Sequence, residues 1–307
     1  MMIDKIAEKV LNVIDGTGFG KKGAYNFRYN GKPAAFANGK NIRIERKKDK
    51  QGIDIYIGKK AKGEEVHIPV VVSTPGMTDI VYNDFYIEDG SDVTIVAGCG
   101  IHNDGCEETR HDGIHSFHIG KNAVVRYVEK HYGEGNGKGG RVLNPVTDIH
   151  MDEGSSFFMD TAQIKGVDST ERKTKVHMKA RCRLHVVEKL MTHGEQHALS
   201  DMDVWLEGEE SSAQVISRSV AKGSSRQIFH PKAIGMAKCH AHIQCDSIIM
   251  DSANVCSIPE IDARNVDAQI IHEAAIGRIN NEQLTKLQTL GMTEEEAEAV
   301  IIENFLN

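Results

Sequence analysis

The sequence has no hydrophobic run of the ~18 to 20 residues that a transmembrane helix needs. Its first segment, MMIDKIAEKVLNVIDG, contains acidic residues and lacks the basic start and continuous apolar stretch of a secretory signal peptide. Basic residues are not in excess, because 37 Lys and Arg stand against 44 Asp and Glu, and such a surface gains little from counterion release on a nucleic acid. We therefore expect a soluble, cytoplasmic protein that binds neither membranes nor nucleic acids.

Aromatic residues are also scarce, at 6% of the chain with a single Trp. This scarcity argues against a carbohydrate-active enzyme, which stacks sugars on aromatic rings. At 307 residues, the chain can bury a core without disulfide bonds. In the absence of a secretory signal, we expect its six cysteines to be reduced thiols that are free to bind metals.

Helical periodicity appears only at the two ends of the chain. Near the start, one helix face collects Ile3, Ile6, Val10, Val13 and Ile14, with Gly16 as the stop. Near the end, two short helices are predicted, the second with a capping box between Thr293 and Glu296. Their apolar residues either cover the end of the domain or dock on another protein: Leu284, Leu287, Val300, Ile301 and Phe305.

Between these helices, an apolar residue followed by a polar turn and alternating apolar positions recurs along the chain. The equivalent positions are Ile87, Ile119, Met151, Met178 and Leu206, at intervals of 32, 32, 27 and 28 residues. Strand-rich units of this length are typical of a β-solenoid, in which stacked coils bury a face that no single coil can bury. Because the period is imperfect, a jelly roll is the alternative. We predict three regions: a helix and strand-rich lead-in (1–85), a β-helix core (86–279) and a helical end (280–307).

The segment GCGIHNDGCEETRHDGIHSFH contains Cys99, His102 and Cys106. Thiolate and imidazole groups suit zinc or iron, but the spacing Cys-x2-His-x3-Cys matches no standard zinc-finger pattern. A polar loop with solvated histidines and buried thiols explains the segment equally well.

A second cluster lies near the C-terminus. Cys245 and Cys256 occupy successive strands of the pattern, and His272 with Glu273 follows about half a repeat later. In a solenoid, residues half a coil or a whole coil apart can lie beside each other. Neighbours on a regular strand point to opposite faces, so either one of His272 and Glu273 binds a metal or a bulge or subunit interface recruits both. Buried thiols with a surface ion pair are the alternative explanation.

The ordered residues of this last region resemble the C-terminal core of the SufB/SufD family, the scaffold proteins of SUF-type iron–sulfur cluster assembly. The matching motifs are Cys256 with Pro259, Ala268 with His272-Glu273-Ala274, Gln283-Leu284, and Gly291-Met292-Thr293-Glu294-Glu295 with Ala297. The chain looks like the short, SufB-like form of minimal systems, because it lacks the extended N-terminal domain of the long members.

The resemblance implies a mainly β protein with a right-handed parallel β-helix core that dimerises. It implies an assembly scaffold rather than an enzyme, carrying a transient iron–sulfur cluster at the dimer interface on Cys256, Glu273 and His272. Independently of the resemblance, their residue types make Cys245, Cys99, Cys106 and His102 candidates for additional ligands or sulfur acceptors, and the segment from Cys99 to Cys106 is not one of the matching motifs. The implied partners are a second copy of the chain, a sulfur donor, apo-protein recipients and a SufC-like ABC ATPase, which would dock on Leu284, Leu287, Val300, Ile301 and Phe305.

Two other functions are compatible with the residues. A SufD-like structural companion would contribute surface but no cluster ligands. A cupin-like jelly-roll metalloenzyme would hold a stable mononuclear metal on His115, His118 and Glu129, and Cys256 would be dispensable.

Overall fold

A computed structural model describes residues 4–16 and 23–306, apart from the side chains of Ile164 and Asn281. About 58% of the chain forms strands, which wind into a β-solenoid of about 8 turns. Within the described ranges there are three helices: α1 (Lys5–Ile14), α2 (Asn281–Thr289) and α3 (Glu294–Leu306). None of these helices has the length and apolar character needed to cross a membrane.

The strands form two long sheets. In spatial order, sheet A contains β2 (Lys32–Ala37), β1 (Ala24–Tyr29), β5 (Lys62–Val72), β7 (Asp92–His102), β9 (Val124–Glu134), β12 (Ser156–Lys165), β14 (Arg183–Thr192), β16 (Ser212–Ala221), β18 (His240–Ile249) and β21 (Gln269–Gly277). Sheet B contains β3 (Ile42–Arg46), β4 (Gly52–Ile57), β6 (Thr78–Ile87), β8 (Thr109–Ile119), β10 (Arg141–Leu143) with β11 (Val146–Met151), β13 (Ser169–Met178), β15 (His197–Leu206), β17 (Arg226–Gly235), and β19 (Asn254–Ser257) with β20 (Glu260–Ala263).

The register of sheet B confirms the repeat found in the sequence. The five equivalent apolar residues are direct partners in successive parallel pairs, Ile87 to Ile119 to Met151 to Met178 to Leu206. All five are buried. From β4 and β5 onward the chain alternates between the two sheets, and neighbouring coils pair in parallel. The jelly-roll alternative is therefore wrong, because a jelly roll is built from antiparallel strands.

The polar turn after each repeated apolar residue is explained by the backbone. Gly90, Asn122 and Gly154 have φ values of 70°, 54° and 73° at equivalent corners. Glycine adopts this left-handed conformation without steric cost, and asparagine tolerates it better than most residues. The corner conformation thus accounts for the Gly and Asn content of the repeat.

The interior of the solenoid has an apolar side and a polar side. On β8, the inward residues change from Thr109, His111 and His115 to Phe117 and Ile119, and all five are buried. The apolar side continues through the coils, with the rings of Phe85 and Phe117 stacked 4.3 Å apart. Burying so many polar side chains requires hydrogen-bonding or ionic partners within the coils.

Helix α1 packs on the outside of sheet A. Its buried residues are Ala7, Val10, Leu11 and Ile14, so the predicted face is correct for Val10 and Ile14 but not for Ile6, which is exposed. Ile3 lies outside the described residues. Gly98 and Gly100 on β7 permit the close approach, because a Cβ atom at Gly100 would lie 2.2 Å from Val10 Cγ1.

The parallel ladders already include β4 and β5, which precede residue 86. Coils of the solenoid therefore extend into the predicted lead-in (1–85). The division into 1–85, 86–279 and 280–307 remains a prediction.

Candidate functional site at the last coil

The last coil of the solenoid, formed by β18, β19, β20 and β21, brings together most of the second predicted cluster. In the parallel pair of β18 and β21, Ile243 is the partner of His272 and Cys245 is the partner of Ala274. This register places the side chain of His272 next to that of Cys245 on the inner face. The Cys245 Sγ atom lies 3.1 Å from His272 Nε2.

Both groups of this pair are neutral near pH 7. Burial raises the pKa of the Cys245 thiol to about 11, although the neighbouring Ser257 hydroxyl offsets part of this effect. Burial, together with the nearby His242, lowers the pKa of His272. A neutral imidazole nitrogen is a metal ligand, whereas a thiol must lose its proton before it binds a metal.

Glu273 points to the outer face, as expected of a regular strand. Its Oε2 atom lies 3.4 Å from His242 Nε2 on β18. The His242 Nε2 atom is shielded from solvent and, apart from this contact, has no hydrogen-bond partner among the described residues. An imidazole–carboxylate pair therefore lies on the outer side of the strands that carry the thiol–imidazole pair inside.

Cys256 lies on β19, where it is the register partner of Ile228 on β17. Cys256 is exposed, and the flanking residues Val255 and Ser257 are partly buried. Within residues 4–16 and 23–306, only Asp148, His150 and His177 form a group of three or more His, Cys, Asp or Glu ligand atoms within 4.8 Å of one another. The described part of a single chain thus does not bring Cys256, His272 and Glu273 into a compact ligand set, and their joint role remains a prediction.

Three of the four strands of this coil have an edge that pairs with no other described strand. β21 is the last strand of sheet A, and β19 and β20 together end sheet B. Large apolar side chains are exposed here, with exposed fractions of 47% for Ile258, 49% for Ile261, 48% for Ile271 and 42% for Ile276. Unpaired edges with exposed apolar residues are typical of surfaces that pair with another chain.

The first predicted cluster is dispersed. Cys99 is buried on β7, and burial raises the pKa of its thiol well above the usual value. His102 uses both ring nitrogens, with Nδ1 3.3 Å from Glu134 Oε1 and Nε2 2.9 Å from Asp104 Oδ2. Cys106 is exposed in the following loop. Their predicted role as further ligands or sulfur acceptors remains a prediction.

The metalloenzyme site proposed for His115, His118 and Glu129 does not assemble. His115 is buried inside, with Nδ1 2.8 Å from the Tyr127 hydroxyl, whereas His118 is exposed on the outer face. Burial favours the neutral acid, but Arg172 and His131 outweigh it and hold the pKa of Glu129 well below its usual range. Glu129 therefore belongs to a buried ion pair, and Arg172 Nη1 is its partner at Oε2.

Sequence reasoning missed this buried ion pair and the Asp148, His150 and His177 group. The sequence marks the positions of these residues, but for the ion pair it does not show which of them meet. Glu129 and Arg172 occupy inward positions of the alternating pattern, and His150 and His177 each precede the repeated apolar residue.

The C-terminal helices lie beside the last coils. The predicted capping box of α3 is present, with Thr293 Oγ1 accepting from Glu296 N at 3.2 Å and Glu296 Oε2 accepting from Thr293 N at 2.8 Å. Ala297 is buried, and Lys222 Nζ lies 3.0 Å from Glu298 Oε2. The predicted partner-binding residues are only partly buried: Leu284, Leu287, Val300, Ile301 and Phe305.

Comparison with known proteins assigns this architecture to a family. Residues 75–305 match the family model described as SUF system FeS cluster assembly, SufBD core domain. Three relatives are named as iron–sulfur cluster assembly SufBD family proteins. The chain is 27% identical over 233 residues to one from Methanothermobacter thermautotrophicus, covering 74% of this chain and 55% of the relative. It is 26% identical over 244 residues to one from Methanocaldococcus jannaschii (78% and 76%). It is also 26% identical over 263 residues to one from Archaeoglobus fulgidus (84% and 69%).

Proposed function

The chain belongs to the SufBD family of iron–sulfur cluster assembly proteins, and on this premise we propose that it is a scaffold on which a nascent cluster is built and then transferred. The observation that carries the proposal is the last coil, where Cys245 Sγ lies 3.1 Å from His272 Nε2 at the unpaired end of both sheets. The proposed role is assembly, not catalysis by this chain.

The proposed cluster ligands are Cys256, Glu273 and His272. Clusters that are held permanently are most often bound by four thiolates. A set with one thiolate, one imidazole and one carboxylate holds iron more weakly, which suits a cluster that must be released. Cys245 is a further ligand or sulfur acceptor, because its thiol already contacts His272.

A homodimer would complete the site. The unpaired edges of β19, β20 and β21 and the exposed isoleucines of the last coil support pairing with a second copy. Two last coils facing each other would contribute two sets of donors, which accounts for the absence of a compact set in one chain. The proposal places the protein in the cytoplasm, where the thiols stay reduced.

Transfer of the cluster would be driven by a SufC-like ABC ATPase. The partly exposed apolar residues of α2 and α3 would provide the docking surface, and α3 contacts β16 in the coil before the last. ATP binding to a partner that grips these helices would move one solenoid relative to the other and open the dimer interface. The cluster would then pass to apo-protein recipients, and a sulfur donor would refill the site.

Anaerobic reconstitution with iron and sulfide tests the scaffold role. We expect the wild-type chain to acquire a visible cluster spectrum and Cys256→Ser to lose most of it. Cys182→Ser is the matched control, because Cys182 is buried at a corner and its thiol contacts the Asp152 carbonyl at 3.1 Å. A structural companion predicts no cluster in the wild type, and equal cluster content in wild type and Cys256→Ser would remove Cys256 from the site.

A further inference from the structure

The outer face of sheet B carries a ladder of stacked aromatic rings, one from each of six coils. Its members are Tyr56, Tyr86, His118, His150, His177 and Trp205. Successive ring centroids are 5.1, 5.1, 5.7, 5.0 and 4.5 Å apart, and the planes are within 15° of parallel. The parallel register fixes this order, so three imidazole rings lie side by side on the surface.

Asp148 lies next to two histidines of the ladder, so that three side chains of types that bind metals come together. It lies two residues before His150 on β11, so both side chains are on the same face. One ligand atom each from Asp148, His150 and His177 lies within 4.8 Å of the other two. The Asp148 Oδ1 atom lies 3.4 Å from His150 Nε2.

One oxygen of the Asp148 carboxylate accepts no hydrogen bond from the described residues. This Oδ1 atom is shielded from solvent, and its 3.4 Å contact with His150 Nε2 does not form a hydrogen bond. Lys175 is its register partner on β13, but no ion pair joins them among the described residues. A shielded carboxylate oxygen without a partner is costly, and a cation between it and the two imidazoles would supply the missing interaction.

The imidazole ring of His177 is oriented by a second carboxylate, that of Glu207, which contacts the ring at Nδ1 rather than at Nε2. Its Nδ1 atom lies 2.8 Å from Glu207 Oε1. When Nδ1 carries the proton, Nε2 is left as the nitrogen with a free lone pair. Metal-bound histidines commonly donate their other ring N–H to a carboxylate, which fixes the ring and increases the basicity of the ligand nitrogen.

We propose that Asp148, His150 and His177 bind a divalent first-row transition ion such as Fe²⁺, Co²⁺ or Zn²⁺, with Glu207 as a positioning residue. Two imidazoles and one carboxylate suit these ions and leave coordination positions open. Ligand atoms around a tetrahedral ion at ~2.1 Å are about 3.4 Å apart, so side-chain rotations that bring the three ligand atoms from within 4.8 Å to this separation would complete the site. The side chains are 32% to 47% exposed, so the ion can exchange with solution. This site is separate from the last coil and does not depend on the proposed cluster role.

Titration of the full-length metal-free protein with Co²⁺ tests the site. We expect one ion per chain to bind with d–d bands of nitrogen and oxygen ligands, whereas intense sulfur charge-transfer bands would mark separate binding to the cysteines. His150→Ala and Asp148→Asn should each weaken this binding more than about 10-fold, and Glu207→Gln should weaken it about 10-fold.

His118→Ala is the matched control, because it removes a ladder histidine outside the ligand group and should leave the binding unchanged. Circular dichroism verifies that each variant is folded. The proposal is overturned if the wild type shows no such bands, or if His150→Ala and His118→Ala bind Co²⁺ equally well.

Discussion

In the middle of the solenoid every strand has a neighbour on both sides, whereas among the described strands β19, β20 and β21 of the last coil have a neighbour on one side only. The middle coils bury charged groups and pair them, as Glu129 and Arg172 do. The last coil leaves Cys256 and Glu273 exposed. A coil whose strands are paired on both sides thus keeps its charged groups inside, whereas the last coil presents its polar and thiol groups at the surface, where we propose that binding takes place.

The largest effect is expected from breaking the buried ion pair of the middle coils. Arg172→Ala leaves Glu129 charged and buried without its partner, which should lower the free energy of unfolding by about 3–5 kcal/mol. Denaturation in guanidinium chloride measures this change. The double variant Glu129→Gln/Arg172→Met should lose less, and Lys179→Ala, at an exposed ion pair with Asp152, should lose little. A loss for Arg172→Ala no greater than that for Lys179→Ala would contradict the structural role.

The buried imidazole of His115 also leads us to predict that the free energy of unfolding depends on pH. Burial lowers the pKa of His115 from 6.5 to about 4. The folded state therefore binds fewer protons than the unfolded state in this interval, so stability falls as pH falls from 6.5 towards 4, by up to about 1.4 kcal/mol for each pH unit. His115→Asn should flatten this part of a stability–pH curve, whereas the outer-face variant His185→Asn should not. An unchanged slope in His115→Asn would refute this assignment.

An exposed apolar residue at the unpaired edge of the last coil can be compared with a similarly exposed apolar residue in the middle coils. Ile271→Lys on β21 should weaken self-association more than about 10-fold, because it adds a charge at the proposed dimer interface. Phe158→Lys on β12 is the matched control, since Phe158 is 42% exposed but its strand is paired on both sides. Sedimentation velocity measures the dimer fraction. Equal effects of the two substitutions would remove the last coil from the interface.

The smallest of the predicted effects is a difference in alkylation rate between the two thiols of the last coil. Cys256 is exposed, and Cys245 is buried with a pKa raised to about 11. Iodoacetamide should therefore alkylate Cys256 well before Cys245 at neutral pH, because the thiolate is the reactive form. The rate at Cys245 should continue to rise with pH up to about 11. Peptide mass spectrometry over a time course distinguishes the two sites, and the reverse order of labelling would show that the burial assigned to them is wrong.

The solenoid could be predicted because each repeat in the sequence reflects two structural constraints. The apolar residue that precedes each corner must face the core. The corner itself contains a residue with a positive φ angle, such as Asn122 or Gly154. The interval between repeats was therefore sufficient to pair Ile119 with Met151 and Met151 with Met178.

The candidate site was only partly predictable. The proximity of Cys245 and His272 follows from the coil length, and the opposite directions of His272 and Glu273 follow from strand alternation. The exposure of Cys256 depends on the edge position of β19, which no local pattern encodes. The buried pair of Glu129 and Arg172 joins residues 43 positions apart, and an alternating pattern does not reveal which inward polar residues meet.

Pulsed EPR of the reduced, reconstituted protein with ¹⁵N-labelled histidine tests whether the last coil holds the nascent cluster. We predict a ¹⁵N hyperfine coupling from a coordinated histidine in the wild type and its loss in His272→Gln, while His185→Gln retains it. A wild-type cluster without nitrogen coupling, or a coupling that persists in His272→Gln, would contradict the claim.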